Sequence, residues 1–419
     1  MRIKREIPVS GAVISEEDKD AIKEVVDKGW FTEGVYSARF ANRLKRYVGG
    51  TYALLVNSGS SANLIATMAL RDQYEKYHED AYLVITPATA FPTTVAPIVQ
   101  AGLVPYFVDC NPATLNPYIH HILDALKNPK VLGFSAAHTL GFPYDARLIR
   151  EKCDEYRKFF LEDCADALGT KIGDHKAGYW GHVSTFSFFP AHQITTGEGG
   201  AAVTDDHSVY ELLGNYRDWG RDCWCLPGQS NTCGKRFSQE FPGLPEKWDH
   251  KYTFTKLGYN LKMTEMQAAL GNSQIGMLTQ FTRRRVENYS RLWETFSAVS
   301  YANKIEAHLY VPPLLSAYNS DVPSPFGFPI TVKSDKFTRQ EIVDFLEEWG
   351  VRTRPVFAGN LARQPMSGKF HFDAYDSLLG SDYIMNNTFW VGCWHGLDYK
   401  DMDYIYETIS DFLHEKGVV

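Results

Sequence analysis

No apolar run in the chain approaches the ~18 residues that a membrane-spanning helix needs. The opening segment, MRIKREIPVS, lacks the apolar stretch of a secretory signal. Basic residues are outnumbered: 43 Lys and Arg against 50 Asp and Glu leave a net charge of −7, which argues against a nucleic-acid or membrane-surface partner. Cysteine is scarce. Seven in 419 residues, an odd count without a secretory signal, do not read as a disulfide framework. Internal repeats and low-complexity segments are also missing. With 44% hydrophobic and 22% charged residues, the disordered, collagenous and coiled-coil classes drop out. A cytoplasmic globular protein of two or three domains is expected, and some of its cysteines need a purpose other than cross-linking.

What is present alternates. Short apolar segments at Tyr52–Val56, Tyr82–Ile85, Pro105–Asp109, Val131–Phe134 and Lys158–Asp163 are separated by helical patterns, as in βα repeats around a mostly parallel sheet. Ser15 caps a first helix that Gly29 stops, and Thr264 with Gln267 forms a capping box for a later one. Residues 219–249 form a loop rich in Gly, Pro and polar residues, with three cysteines; loops this long inside compact domains are usually functional. Past residue 280 the pattern becomes strand (FGFPITV), helix (Thr338–Trp349, capping box to Glu341) and strand (VRTRPVF). The expected organisation is a large α/β domain over 1–280, including the cysteine loop, and a small α+β domain over 281–419.

Four segments carry candidate chemistry. Asn57–Asn63 (NSGSSAN) follows a strand and opens a helix, where free N–H groups and hydroxyls suit a phosphate. Phe91 lies just beyond a strand end and can stack on a flat ring. Glu162–Gly169 (EDCADALG) puts a carboxylate at another strand's C-terminal end. The fourth is Ser184–Gly200 (STFSFFPAHQITTGEGG).

In order and separation these segments resemble the DegT/DnrJ/EryC/StrS sugar aminotransferases, pyridoxal phosphate enzymes of fold type I. That resemblance implies that Gly59, Ser60 and Ser187 hold the cofactor phosphate, that Phe91 covers the pyridine ring, and that Asp163 pairs with its nitrogen and keeps the ring electron-accepting. It also implies a dimer, in which Asn260, in Gly258–Asn260 (GYN), reaches the phosphate of the other subunit.

One position breaks the family pattern. The lysine that binds the cofactor covalently is replaced by His192. Imidazole cannot make that bond, so pyridoxamine phosphate held non-covalently is expected. A histidine, with a reference pKa near ~6.5, still serves as a base at neutral pH. The same exchange marks the family's 3-dehydratases, which expel the C3 hydroxyl of a nucleotide-linked 4-keto-6-deoxyhexose.

The cysteine loop resembles that of the iron–sulfur members among these, which act on CDP-4-keto-6-deoxyglucose. Cys223, Cys225 and Cys233 offer soft ligands in one turn-rich segment, fit for a [2Fe–2S] cluster or for zinc. The family's fourth cysteine falls at Ala165; Cys164 is one position early, and it is the fourth ligand expected here. Cys110, Cys153 and Cys393 read as plain buried residues. Arg354 or Arg363 is expected to pair with the substrate diphosphate. A reductase or ferredoxin is the expected electron donor. Two rivals stand beside this reading: a cluster-free GDP-4-keto-6-deoxymannose type that regenerates the cofactor with glutamate, and a non-catalytic sugar-nucleotide binder with structural zinc.

Overall fold

The computed structural model describes residues 4–223, 225, 229–303, 307–312 and 321–418, with the backbone alone for 298–303. Trp224 and residues 226–228 of the cysteine loop lie outside the described residues. The strands in chain order are β1 (Tyr52–Val56), β2 (Leu83–Pro87), β3 (Val104–Val108), β4 (Val131–Ala137), β5 (Phe159–Asp163), β6 (Lys171–Ile172) and β7 (His175–Lys176). They continue as β8 (Val183–Ser187), β9 (Gly200–Thr204), β10 (Leu309–Tyr310), β11 (Gly327–Val332), β12 (Thr353–Pro355), β13 (Asp373–Ala374) and β14 (Thr388–Gly392).

Eight of them form one sheet in the order β1-β9-β8-β5-β4-β2-β3-β13. Only β9 runs against its neighbours; every other pairing is parallel. Helices cover both faces, so β2, β4, β5 and β9 are buried along their whole length and read as near-continuous apolar runs. Helices Val35–Val48 and Glu265–Gln274 pack on one face, and Gly59–Tyr74 and His207–Arg217 on the other. In such a sheet the C-terminal strand ends and the loops beyond them make the binding edge. Asp163 closes β5 and Ser187 closes β8, on that edge.

Local signals hold where expected. Ser15 caps Glu16–Lys28 in a capping box with Asp18, and Gly29 ends it in the left-handed region at φ 66°. Thr264 with Gln267 and Thr338 with Glu341 form two more, as expected, and Asp398 with Asp401 forms a fourth at the start of helix Tyr399–Glu415. Each such cap contributes about 1 kcal/mol.

The small domain is a four-stranded sheet, β10-β11-β14-β12, with its own core. The long helix Leu278–Asn303 links the two: Leu278 and Phe281 belong to the large core, and Tyr289, Leu292 and Phe296 to the small one. A cut at residue 280 is not clean, however. β13 from the C-terminal part adds an edge to the large sheet beside β3, and Ile7 at the N-terminus pairs with Val351 of the small domain. No helix among the described residues is long and apolar enough to cross a membrane.

Candidate active site

A cavity of about 440 Å³ opens where the C-terminal edge of the large sheet meets the small domain. Gly59, Ser60, Phe91, Asp163, Ser187, His192 and Arg354 all line it, so seven of the expected residues converge.

Helix Gly59–Tyr74 begins at the cavity with Ser58 as its N-cap, accepting from Ser61 N–H. The first-turn N–H groups, the Ser60 hydroxyl and Ser187 thus form a cradle for an anion. Gly59 is required by closeness: a Cβ there would stand 2.6 Å from Ser187 Cβ. Ser60 Oγ donates to Thr93 Oγ1 at 3.0 Å. Phe91 is exposed at the cavity and immediately precedes helix Pro92–Gln100.

Asp163 is 3% exposed, and three donors fix its carboxylate. Asn63 Nδ2 and Thr94 Oγ1 each donate to Oδ2 at 2.9 Å, and Ala165 N–H donates to Oδ1 at 3.0 Å. Asn63 is itself oriented, since its Oδ1 accepts from Thr185 Oγ1 at 2.5 Å. A carboxylate held this firmly at the base of a cavity, with an aromatic ring at the rim, fits a flat cationic heterocycle between them.

His192 follows β8, and Nδ1 of its half-buried ring stands 3.5 Å from Asp166 Oδ1. Burial, and then the nearby Arg285 guanidinium, push the imidazole down to about 3. Burial, and then the Asp163 charge, push Asp166 up to about 8. A neutral histidine beside a neutral carboxyl is therefore the state at pH 7. Arg285, fully buried, donates through Nη2 to His192 O at 3.0 Å and Ala191 O at 3.4 Å, and through Nη1 to Pro325 O and Phe326 O. Sequence reading singled out none of Asn63, Thr94, Asp166 and Arg285. Asp166 had a visible signal, a second acid three residues after Asp163 on the same motif.

Three expected residues sit elsewhere. Arg363 is forked onto Asp382, Nη2 to Oδ2 at 2.9 Å and Nε to Oδ1 at 3.1 Å, and does not line the cavity. Of the two expected arginines, Arg354 is the one that lines the cavity. Asn260 lines a separate depression with Trp219, Arg221, Cys225, Lys251 and Lys262. Cys164 is wholly buried on the far face of the sheet, beside His138 and Glu162. Strand alternation explains this: Asp163 and Ala165 face the cavity, so Glu162 and Cys164 face away. Glu162 is saturated there by Gly178, Trp180 and Gly181 N–H groups, Ser184 Oγ and His138. Burial pushes the Cys164 thiol well up. The expectation that Cys164 joins the loop cysteines is therefore not met by this geometry.

The loop cysteines fall into two places. Cys223 and Cys225 act on each other's titration: burial first raises the Cys223 thiol, while the Cys225 thiol is lowered. Cys225 Sγ lies 3.1 Å from Thr232 Oγ1, and Cys233 Sγ lies 3.5 Å from His250 Nε2. Burial works to raise the Cys225 thiol, but hydrogen bonds from Thr232, Cys223 and the Asn231 backbone outweigh it and lower the thiol. A set of soft donors with one held-down thiol fits a metal or an iron–sulfur cluster. Cys110, Cys153 and Cys393 are each buried without exposure.

A sheet of this order, with a helix N-terminus, an aromatic ring and a fixed carboxylate at its C-terminal edge, defines a pyridoxal phosphate enzyme of fold type I. Residues 12–410 match the DegT/DnrJ/EryC1/StrS aminotransferase family, and the chain belongs to it. It is 40% identical over 409 residues to the lipopolysaccharide biosynthesis protein RfbH of Salmonella typhimurium, covering 97% of this chain and 91% of that one. It is also 40% identical over 407 residues to dTDP-4-dehydro-2,6-dideoxy-D-glucose 3-dehydratase of Saccharopolyspora spinosa, covering 96% and 86%. Among solved structures, E. coli GDP-4-keto-6-deoxy-D-mannose-3-dehydratase with bound hydrated PLP superposes with a TM-score of 0.83 at 27% identity, covering 97% of this chain and all of that one.

Proposed function

We propose that this chain is a pyridoxamine-phosphate-dependent 3-dehydratase of a nucleotide-linked 4-keto-6-deoxyhexose. The most specific form of the reading is CDP-4-keto-6-deoxyglucose as substrate, with a [2Fe–2S] cluster passing single electrons from a reductase or ferredoxin to give a 3,6-dideoxy sugar. The observation that carries it is that His192, which by the sequence resemblance stands at the family's lysine position, shares one cavity with the fixed Asp163, the Gly59–Ser60–Ser187 cradle and Phe91.

The bound cofactor supplies an amine that can condense with a ketone and a ring that accepts electrons. The chain's residues do the rest. Asp163 would hold the ring nitrogen, and Gly59, Ser60 and Ser187 would hold the phosphate with Phe91 beside the ring. His192, neutral at pH 7, accepts a proton at Nε2 and can return it to the departing C3 hydroxyl. Arg354 is the cation in the cavity wall that can meet the diphosphate. In net form, loss of the C3–OH as water and its replacement by hydrogen take up two electrons and two protons.

The reading includes a homodimer, and the position of Asn260 supports it. Asn260 is absent from its own chain's cavity but lies among Arg221, Lys251 and Lys262, cations suited to phosphate on a second copy.

The placement of Cys164 away from the loop favours one second reading: a cluster-free 3-dehydratase of the GDP-4-keto-6-deoxymannose type that regenerates its cofactor with glutamate. The test is anaerobic turnover with each sugar nucleotide, with reductant or glutamate. C3 deoxygenation only with a one-electron donor sustains the first reading; deoxygenation with glutamate alone sustains the second. Replacing His192 by Lys is expected to abolish dehydration, and unchanged dehydration in that variant sinks the base assignment.

A further inference from the structure

We infer that His250 is the fourth ligand of the metal centre in the cysteine loop, with Cys223, Cys225 and Cys233, and that Cys164 stands outside it. The inference rests on the cluster-bearing reading above.

Three thiols need one more donor, and the two positions near Asp163 cannot supply it. Ala165 has no ligand atom, and Cys164 is buried on the opposite face of the sheet against His138 and Glu162. His250 is in place. Its Nε2 lies 3.5 Å from Cys233 Sγ. Two ligands on one tetrahedral ion, at about 2.3 Å for sulfur and about 2.0 Å for nitrogen, are themselves about 3.5 Å apart.

The other ring nitrogen is committed. Nδ1 of His250 meets Gln239 Oε1, an oxygen that can only accept, so Nδ1 carries the proton and Nε2 keeps its lone pair toward Cys233. Metal-bound histidines are held in this way through their second nitrogen. The ring is 1% exposed, which shields the bond from competing water.

Hydrogen bonds also tie together the segments that carry the donors. His250 N–H donates to Arg236 O at 3.1 Å, and the Arg236 side chain forks onto Asp249, so residues 233–236 are tied to 249–250. Asp222 N–H donates to Thr253 O at 2.8 Å, which brings the Cys223 end to the same short turn. Thr232, touching Cys225, lies next to Cys233. Exchanging one thiolate for a neutral imidazole makes the centre less negative by one charge and raises its reduction potential.

The full chain, reconstituted anaerobically with iron and sulfide, tests this through composition and spectroscopy. Iron and zinc per chain, the EPR spectrum after dithionite and the nitrogen coupling by pulsed EPR are measured for wild type, Cys164→Ala, His250→Ala and His250→Cys. Cofactor binding by absorbance serves as the check on folding. Expected are full iron in wild type and Cys164→Ala, with coupling from one directly bound nitrogen. His250→Ala should lose at least half of its iron. His250→Cys should keep iron, lose the coupling and titrate at a lower potential. Iron lost in Cys164→Ala but kept in His250→Ala overturns the assignment and leaves the cluster reading standing, as does a [2Fe–2S] signal without bound nitrogen. Zinc in place of iron, with the same dependence on His250, sustains the ligand set and overturns the electron-transfer reading. No metal in wild type overturns both, while sugar dehydration is scored separately.

Discussion

Asp166 Oδ1 lies 3.5 Å from His192 Nδ1, and neither group is charged at neutral pH. If the imidazole directs Nδ1–H at an Asp166 oxygen, its lone pair is left on Nε2. In that arrangement the aspartate would be a positioning residue that selects the nitrogen and costs the base no charge. At 3.5 Å the contact is long for a hydrogen bond.

The pair has a pH signature in the cofactor-free protein. Asp166 is raised from an ordinary carboxylate value to about 8, so its contribution is complete at acid pH and is lost as pH rises toward 8. His192 is lowered to about 3, so its contribution is lost as pH falls below the ordinary imidazole range. Between about pH 4 and 6.5 the two slopes oppose each other, and above 6.5 only Asp166 titrates. Stability should therefore fall by on the order of 1–2 kcal/mol between pH 6.5 and 8. Asp166→Asn should flatten that fall. Urea melts at the two pH values check it, and equal slopes in both proteins would refute the account.

Asp163→Asn keeps the shape of the site but removes the charge from the acceptor of Asn63 and Thr94. A charged hydrogen bond to a ring nitrogen contributes about 1.5–3 kcal/mol, so pyridoxamine phosphate affinity should fall by roughly 10- to 100-fold. Absorbance titration reads this directly. Affinity within a factor of two of wild type would remove Asp163 from the ring nitrogen.

The sequence made the strands from Tyr52 to Asp163, the Ser15 cap and two of the capping boxes readable, because each depends on neighbours in the chain. The site motifs were readable for the same reason: strand ends followed by small or acidic residues recur within a few positions. Arg285 was not. A guanidinium that donates to carbonyls at residues 191, 192, 325 and 326 has its meaning only after the two domains meet. β13 is similar, a two-residue edge with no periodicity to detect. Cys164 shows the converse. Its chemical type fitted the missing ligand, but strand alternation, a rule available beforehand, decided its face.

Gly59→Ala tests the phosphate cradle without removing a polar group. The added methyl meets Ser187 Cβ at 2.6 Å, far inside contact distance, so the helix start or β8 must shift. Overpacking of this kind costs about 1–3 kcal/mol. Both the melting temperature and pyridoxal phosphate affinity should drop. A variant that melts lower but binds the cofactor as wild type does would mean that the cradle lies elsewhere.

Arg285 offers the sharpest separation of structure from chemistry. It is fully buried, its partners are four carbonyls, and burial brings it down to about 10. Arg285→Met strands those carbonyls and should destabilise the protein by about 3–5 kcal/mol. The same substitution removes a positive charge that helps to hold His192 low. The acidic limb of kcat/KM, which reports the base in the free enzyme, should therefore move to higher pH. Arg285→Lys retains the charge and loses part of the hydrogen-bond fan, so it should be destabilised with that limb in place. If both variants melt lower and neither limb moves, the guanidinium serves the fold alone and the basicity of His192 is set by its burial.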